Sequence, residues 1–337
     1  MDVEDYDYDL SADAIAQTAI EPRDASRLLI AKTLEELPFN KVASLFNPGD
    51  VVVVNRTRVR PARLRASRIP TGGAIEVLLT RRIDDERWEA LMRPARRLRS
   101  GERLAVGSRT LRLVSDPRDG VATVVFEQAD DIDDFLAEFG STPLPPYFTG
   151  ELEDDERYQT MFATELGSSA APTAALHFTQ GVVDSLADAG VRIAEVTLDV
   201  GLDTFRPMGE GPVEGHEIHT ERIAVDVATA DAINSCKRGG GRVIAVGTTV
   251  MRTLESAAGT DGAVAPVSGA TSLFITPGYR PRVVDALITN FHAPRTTLLV
   301  LISALLGDDW KRVYQHALDV GFRFLSFGDA MFVEVSA

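Results

Sequence analysis

Residues 197–208 read VTLDVGLDTFRP, an apolar strand-like run followed by a glycine between two acids, Asp199 and Asp203. Two carboxylates this close at a strand end are either an acid/base pair or an accident of a polar loop, and spacing alone leaves both open. Imidazoles are the other proton-transfer groups to weigh, since histidine alone among unperturbed side chains titrates near neutral pH. Three of the five histidines fall in loop-like motifs: His177 in APTAALHFT, His219 in EGHEIHTE and His292 in TNFHAPRTTL. A packing or surface role is the plain alternative for each, and their joint placement weighs against it. His216 shares a loop with His219 and would orient it, whereas His316 lies on a helical stretch and is set aside. HEIH would place two metal ligands on one helical face, but it runs into strand-like RIAVD with no third ligand evident, so no metal is expected.

VGTTVMRTLES (246–256) reads as a strand ending at Gly247, two N-cap threonines, Thr248 and Thr249, and a helix carrying Arg252 and Glu255 three apart. A helix start presents unpaired N–H groups to ligand oxygens. The plain alternative is a cap and an intrahelical ion pair worth about 0.2–0.5 kcal/mol.

These loops need a scaffold, and the chain has room for one: 337 residues, 45% hydrophobic and 25% charged, with no apolar run long enough for a membrane helix. The acidic start MDVEDYDYDLSAD is unlike a signal peptide, so a cytoplasmic protein is expected. The single cysteine, Cys236, excludes an intrachain disulfide and reads as half-buried late in a helix. Net charge is −15, yet residues 56–103 hold 14 Arg against 6 acids, a local surplus of +8. That segment is either a solvated surface or a basic patch for an RNA backbone, with Arg60, Arg63, Arg65, Arg68, Arg96, Arg97 and Arg99 in its two densest stretches.

Periodicity divides the chain. GDVVVVN (49–55) reads as a buried parallel-type strand, and 59–128 breaks into short alternating strands that predict a small inserted β domain. An acid-started helix (129–140) and the proline knot TPLPPY (142–147) close it. Beyond about residue 158 strands alternate with helices: helix 181–190 and strand 191–200, helix 227–241 and strand 242–248, then strand 283–292 and helices 296–307 and 308–321. The expected fold is α/β: a large, barrel-like and largely parallel α/β domain from 1–58 and 150–337, with a small β-barrel inserted at 59–149. Ligands of such sheets bind at loops beyond the strand ends, where the motifs above lie.

The order of these motifs, with YDLSADAIAQTAIEPRDASRLL (8–29), DDERYQTMFA (154–163) and RFLSFGDAMFV (323–333), resembles the S-adenosylmethionine:tRNA ribosyltransferase-isomerase family of queuosine biosynthesis over nearly the whole chain. The resemblance implies the same two-part fold. It implies transfer of the ribosyl part of S-adenosylmethionine, a co-substrate and not a cofactor, to 7-aminomethyl-7-deazaguanine in a tRNA anticodon loop, giving epoxyqueuosine, adenine and methionine. It also implies no metal, and a monomer is expected.

That chemistry needs a base for the C5′ protons beside the sulfonium and a proton or hydrogen bond for departing adenine. The roles implied are therefore proton transfer for His177, His219, His292 and Asp199. Arg252 would hold the methionine carboxylate, and Glu255 would face the sulfonium or a ribose hydroxyl. Asn55, Thr57, Arg58, Thr173, Thr204, Phe205, Gly247, Thr248, Thr249, Tyr279 and Asn290 would line the substrate site. Phe178 would stack on adenine, with a core phenylalanine as its alternative.

Several positions depart from the family pattern: Arg56 in NRTRV, Ala175 where PTAGLHF is usual, Asp199 and Asp203 where TLHVGLGTF is usual, and Ser272 and Thr276 in SLFITPGY. Replacing an imidazole by a carboxylate at 199 lowers basicity by about two and a half pKa units unless burial restores it. Because these positions fall in the motif loops, two rivals stand beside the main reading. One is a paralogue acting on a small deazapurine or nucleoside, or with no acceptor; the other is a non-catalytic RNA- or S-adenosylmethionine-binding protein.

Overall fold

Val51 to Val54 show why the larger sheet forms where it does. In the computed structural model all four are buried, Val51 and Val53 in one apolar cluster with Ala245 and Leu287, Val52 and Val54 in another with Ile244 and Ile288. Side chains alternate across a strand, so an unbroken apolar run is stable only where both faces of the sheet are covered. The structure describes residues 1–84, 86–127, 131–149, 152, 154–201, 207–216 and 218–335. They form two units: 1–58, 145–166 and 171–337, and a smaller one of 59–144 and 167–170. Residues 145–149, placed above with the inserted segment, cluster with the larger unit.

In chain order the elements are β1 (Arg27–Ile30), β2 (Glu36–Pro38), β3 (Val51–Asn55), β4 (Thr57–Val59), β5 (Arg63–Arg68), β6 (Ala74–Arg82), β7 (Arg87–Arg93), β8 (Arg103–Val106), β9 (Arg109–Leu113), β10 (Val121–Glu127), α1 (Ile132–Phe139), β11 (Gly140–Ser141) and β12 (Glu165–Ser168). There follow α2 (Gln180–Asp188), β13 (Arg192–Leu198), β14 (Glu221–Val225), α3 (Val227–Arg238), β15 (Val243–Val246), α4 (Thr248–Ala257), β16 (Val267–Thr271), β17 (Ala286–Asn290), α5 (Thr297–Leu306), α6 (Asp309–Asp319) and β18 (Ala330–Glu334).

The large sheet has the order β16-β14-β13-β3-β15-β17-β18-β1-β2. Its centre, β13-β3-β15-β17, is parallel, as is the β1–β18 ladder. The remaining ladders are antiparallel, so the sheet is mixed, with β16 and β2 at its ends, and not the barrel-like, largely parallel sheet expected from sequence: short β1, β2 and β16 and the C-terminal β18 add antiparallel pairs at its flanks. In the smaller unit β5, β6, β7, β10, β9 and β8 pair in turn, and a β5–β8 ladder closes them into a barrel. Period-2 alternation fills it: Leu64, Val77, Trp88, Leu104 and Val124 point into one core that Phe135 and Leu136 of α1 cover.

Three helices begin with the side-chain caps their sequences offer: Thr179 accepts from Val182 N–H, Asp226 from Thr229 N–H and Thr296 from Leu299 N–H. Helix α4, for which Thr248 and Thr249 are the caps expected from sequence, does not; it starts from Gly247, at φ +96, and has no side-chain cap. Cys236 is buried rather than half-buried, and burial pushes its thiol pKa up. No helix among the described residues is long and apolar enough to cross a membrane.

Candidate active site

A cleft of ≈ 600 Å³ opens in the larger unit beyond the C-terminal ends of β13, β15 and β17, its volume counted to the mouth. Six of the residues named from sequence line it: Thr173, Gly247, Thr248, Thr249, Asn290 and His292. They come from three separate segments, and the parallel centre of the sheet brings them together. The uncapped start of α4 lies in the wall, and Thr249 Oγ1, in a residue only 7% exposed, has no hydrogen-bond partner among the described residues. Unpaired donors at a helix start beside a buried, unpartnered hydroxyl form a ready site for ligand oxygens.

His292 is buried in this wall. Its own N–H donates to Tyr314 Oη (3.1 Å), and its ring hydrogen-bonds Tyr314 Oη through Nδ1 (3.3 Å) and Thr289 Oγ1 through Nε2 (3.1 Å). Burial pushes its pKa down to about 3, so at neutral pH it is a neutral, fixed hydrogen-bonding group. His177 stands behind the wall. Its Nε2 accepts from Asn290 Nδ2 (3.2 Å), which fixes the proton on Nδ1 and directs it to Ser26 Oγ (2.7 Å). Burial, then the Arg323 and Arg157 charges, lowers its pKa to about 3. Neither imidazole is the near-neutral proton shuttle expected from sequence. Ser26 and Tyr314 were missed, because a lone serine or helix tyrosine carries no sequence signal of its partner.

A second cleft, of ≈ 510 Å³, shares Leu298 with the first and is lined by Gly201, His216, His219, Glu221, Arg252 and Phe274 among others. Here Arg252 and Glu221 form a buried ion pair, while Arg252 Nε donates to Leu273 O (2.9 Å). Arg252 Nη2 is buried and lacks a hydrogen-bond partner among the described residues. His216 packs edge-on to Phe274, and burial followed by the charge of His219 lowers its pKa.

Other residues named from sequence do different work. Glu255 neither pairs with Arg252 nor lines a cleft. Its carboxylate accepts from Tyr279 Oη (3.0 Å) and from the N–H groups of Arg282, Val283 and Val284 (2.9–3.1 Å), tying the 279–284 segment to α4. Tyr279 is thereby a tether too. Phe178 is a core residue, packed edge-on against Phe39 and Phe162. Asn55 accepts from Thr57 N–H and Leu198 N–H and donates to Leu198 O, clamping β3 to β13. Thr57 is buried beside it, and Arg58 pairs with Glu156.

Asp199 lines neither cleft. Arg222 Nε donates to its Oδ2 (2.7 Å) and Arg222 Nη2 to Glu165 Oε1 (2.8 Å), while Arg56 reaches Glu165 (3.4 Å) and Asp226 (3.4 Å). Two departures from the family pattern, Arg56 and Asp199, thus belong to one ion network, in which the Arg222 guanidinium holds the Glu165 carboxyl below the usual carboxylate range. Ala175 is buried in the core, Ser272 is exposed, and the Thr276 carbonyl accepts Tyr279 N–H (2.9 Å). Among the described residues none of these departures lines either of the two clefts. Asp203, Thr204 and Phe205 lie outside the described residues.

The basic patch belongs to the smaller unit. Arg60, Arg63 and Arg68 are neutralised by Asp133, Glu76 and Glu102. Arg65, Arg96, Arg97 and Arg99 are exposed and have no acid within salt-bridge distance among the described residues. If the patch holds a phosphate backbone, Arg96→Glu/Arg97→Glu/Arg99→Glu weakens binding at least tenfold. It also flattens the slope of log K against log salt by about 1 for each phosphate no longer held. An unchanged salt slope in filter-binding titrations removes the patch from the RNA path.

The family model for queuosine biosynthesis proteins matches residues 3–333. The chain belongs to this family. Among its relatives, the S-adenosylmethionine:tRNA ribosyltransferase-isomerase of Symbiobacterium thermophilum is 48% identical over 99% of this chain and 100% of its own length. That of Desulfitobacterium hafniense is 46% identical over the same shares. The crystal structure of S-adenosylmethionine tRNA ribosyltransferase from Thermotoga maritima is 33% identical, covers 97% of this chain and 99% of its own, and superposes with a TM-score of 0.55. This queuosine biosynthesis family member is accordingly a transferase-isomerase enzyme, with the α/β domain and β-barrel expected from sequence.

Proposed function

We propose that the chain transfers and isomerises the ribosyl moiety of S-adenosylmethionine onto 7-aminomethyl-7-deazaguanine in tRNA, in the cytoplasm, releasing adenine and methionine and leaving epoxyqueuosine. The observation that carries the proposal is the pair of adjoining clefts, one walled by an uncapped helix start and the other by a buried arginine with an unused N–H. The names of the full-length relatives support the substrates.

S-adenosylmethionine spans both clefts in this reading. The α4 N–H groups and the Thr249 hydroxyl take adenosine oxygens, and the free Nη2 of Arg252 takes the methionine carboxylate. The sulfonium makes the ribose C5′ protons acidic, and a base must remove one before the sugar rearranges and adenine leaves. We assign this base to His219, an imidazole named from sequence that lines the second cleft. His292, whose ring nitrogens are both hydrogen-bonded to Tyr314 and Thr289, shapes the wall of the first cleft.

Incubation with S-adenosylmethionine, with and without tRNA bearing the deazaguanine amine, tests the reading. Free adenine and methionine are expected only when that tRNA is present. Release without it transfers the assignment to a small acceptor or to hydrolysis. Binding without release makes the chain a binding protein.

A further inference from the structure

A third cavity, shallow and of ≈ 240 Å³ counted to its open mouth, borders His177 and shares Ser326 with the first cleft. Arg23, Arg157 and Arg323 line it together with Ser26 and His177. The reaction described above uses none of the three arginines.

Their guanidinium groups are only partly satisfied. Arg23 donates to Gln159 O (2.6 Å) and Glu156 O (3.0 Å), Arg157 Nη2 to Ile20 O (2.6 Å), and Arg323 to Thr18 O and Phe327 O (both 3.0 Å). Arg157 Nε and Nη1 and Arg323 Nε are buried and without hydrogen-bond partners among the described residues. Glu21 stands close to Arg157 Nε but outside hydrogen-bond geometry, and its own side chain is largely in solvent. No acid comes within salt-bridge distance of Arg23 or of the Arg323 guanidinium among the described residues. The acids that act on these arginines, Glu21, Asp154, Glu156 and Asp329, do not line the cavity, so the charged groups of its wall are guanidinium donors. Buried N–H groups left unpaired on charged side chains are costly, and that cost is recovered when an anion accepts from them.

We propose that this cavity binds a phosphate group of the RNA strand whose base enters the adjoining cleft. The source of that phosphate rests on the tRNA reading above. Three guanidinium groups and the Ser26 hydroxyl offer more donors than the two oxygens of a carboxylate can use, and planar arginine forks match phosphate geometry. A carboxylate already has its match at Arg252, in the second cleft. Ser26 Oγ accepts from His177 Nδ1–H, so its own hydrogen is free to turn toward the cavity. His177 is then a positioning residue, linking the cavity to Asn290 in the cleft wall.

The test uses the unmodified protein and tRNAs in which single phosphates near the reactive base are replaced by neutral methylphosphonates. At one position binding is expected to weaken about tenfold, the loss of a charge-assisted hydrogen bond. Arg157→Gln weakens binding of ordinary tRNA by a similar factor, removes the sensitivity to that methylphosphonate, and leaves KM for S-adenosylmethionine unchanged. A rise in KM for S-adenosylmethionine with tRNA affinity intact reassigns the cavity to the methionine carboxylate and overturns the proposal. Methylphosphonates without effect at every position reduce the arginines to ties between loops. Binding is read directly, so weakened binding without any adenine release keeps the cavity assignment while the proposed reaction falls.

Discussion

Lowering the pH from 7 to 5 is expected to destabilise the folded chain by about 4 kcal/mol, through two buried imidazoles alone. His177 and His292 each have a folded pKa near 3, against about 6.5 for an unfolded histidine. Above pH 6.5 both states hold these rings neutral and the rings contribute nothing to the pH dependence. Below it the unfolded chain takes up the protons first, so stability falls as pH falls, until about pH 3. Between 6.5 and 5 each ring loses about 1.5 units at 1.36 kcal/mol per unit. His216, whose pKa is also lowered, adds to the loss in the same window. The carboxyls held low by their partners, Asp50, Glu165 and Asp226, lose their contribution only below about pH 4. Urea unfolding at pH 7, 6 and 5 reads the slope, and His177→Gln removes about half of it. A flat profile across this range would mean that the rings protonate inside the fold, and would make both candidate proton shuttles again.

The place of the cleft was more legible in the sequence than its chemistry. The strand end at Gly247 was legible because an apolar run stopped by glycine marks where a parallel strand delivers its loop, whereas the strand expected over 283–292 ends at Asn290. Helices α2 to α6 were legible from their apolar period. Strands β1, β2, β16 and β18 were not: VSGAT carries no alternation, and β1 and β2 are three or four residues long. What failed was inference from residue type to role. Glu255 and Arg252 sit three apart on a helix, the spacing of an ion pair, yet each finds a partner remote in sequence, the 282–284 N–H groups and Glu221. Asp199 looked like a base because nothing in the sequence shows that Arg222 on the neighbouring strand neutralises it. That pairing also bears on the departures from the family pattern. Arg56 and Asp199 are linked through Glu165 and Arg222, so the charges at both positions are met inside one ion network.

Arg252→Met is expected to be the most informative single substitution, because it removes two things at once. Its first effect is on folding. Glu221 is 6% exposed and Arg252 is its buried counter-charge, so deleting the guanidinium leaves an uncompensated carboxylate, at a cost of about 3–5 kcal/mol. Gly201 N–H, which donates to Glu221 Oε1 (3.1 Å), does not neutralise it. The second effect is on substrate. If Nη2 holds the methionine carboxylate, KM for S-adenosylmethionine rises about 30- to 100-fold, the worth of a charge-assisted pair. The two effects separate in the double variant Arg252→Met/Glu221→Gln. Removing both charges eliminates the unpaired carboxylate, and a neutral replacement of a buried ion pair is often close to neutral in stability. The double variant is therefore expected to unfold near the wild-type denaturant midpoint while KM for S-adenosylmethionine stays raised and KM for tRNA stays unchanged. Recovery of KM together with stability would make the ion pair purely architectural and place the methionine carboxylate elsewhere. The arginine-lined cavity beside Ser326 would then be the first place to look, since three half-buried arginines line it and it shares Ser326 with the cleft.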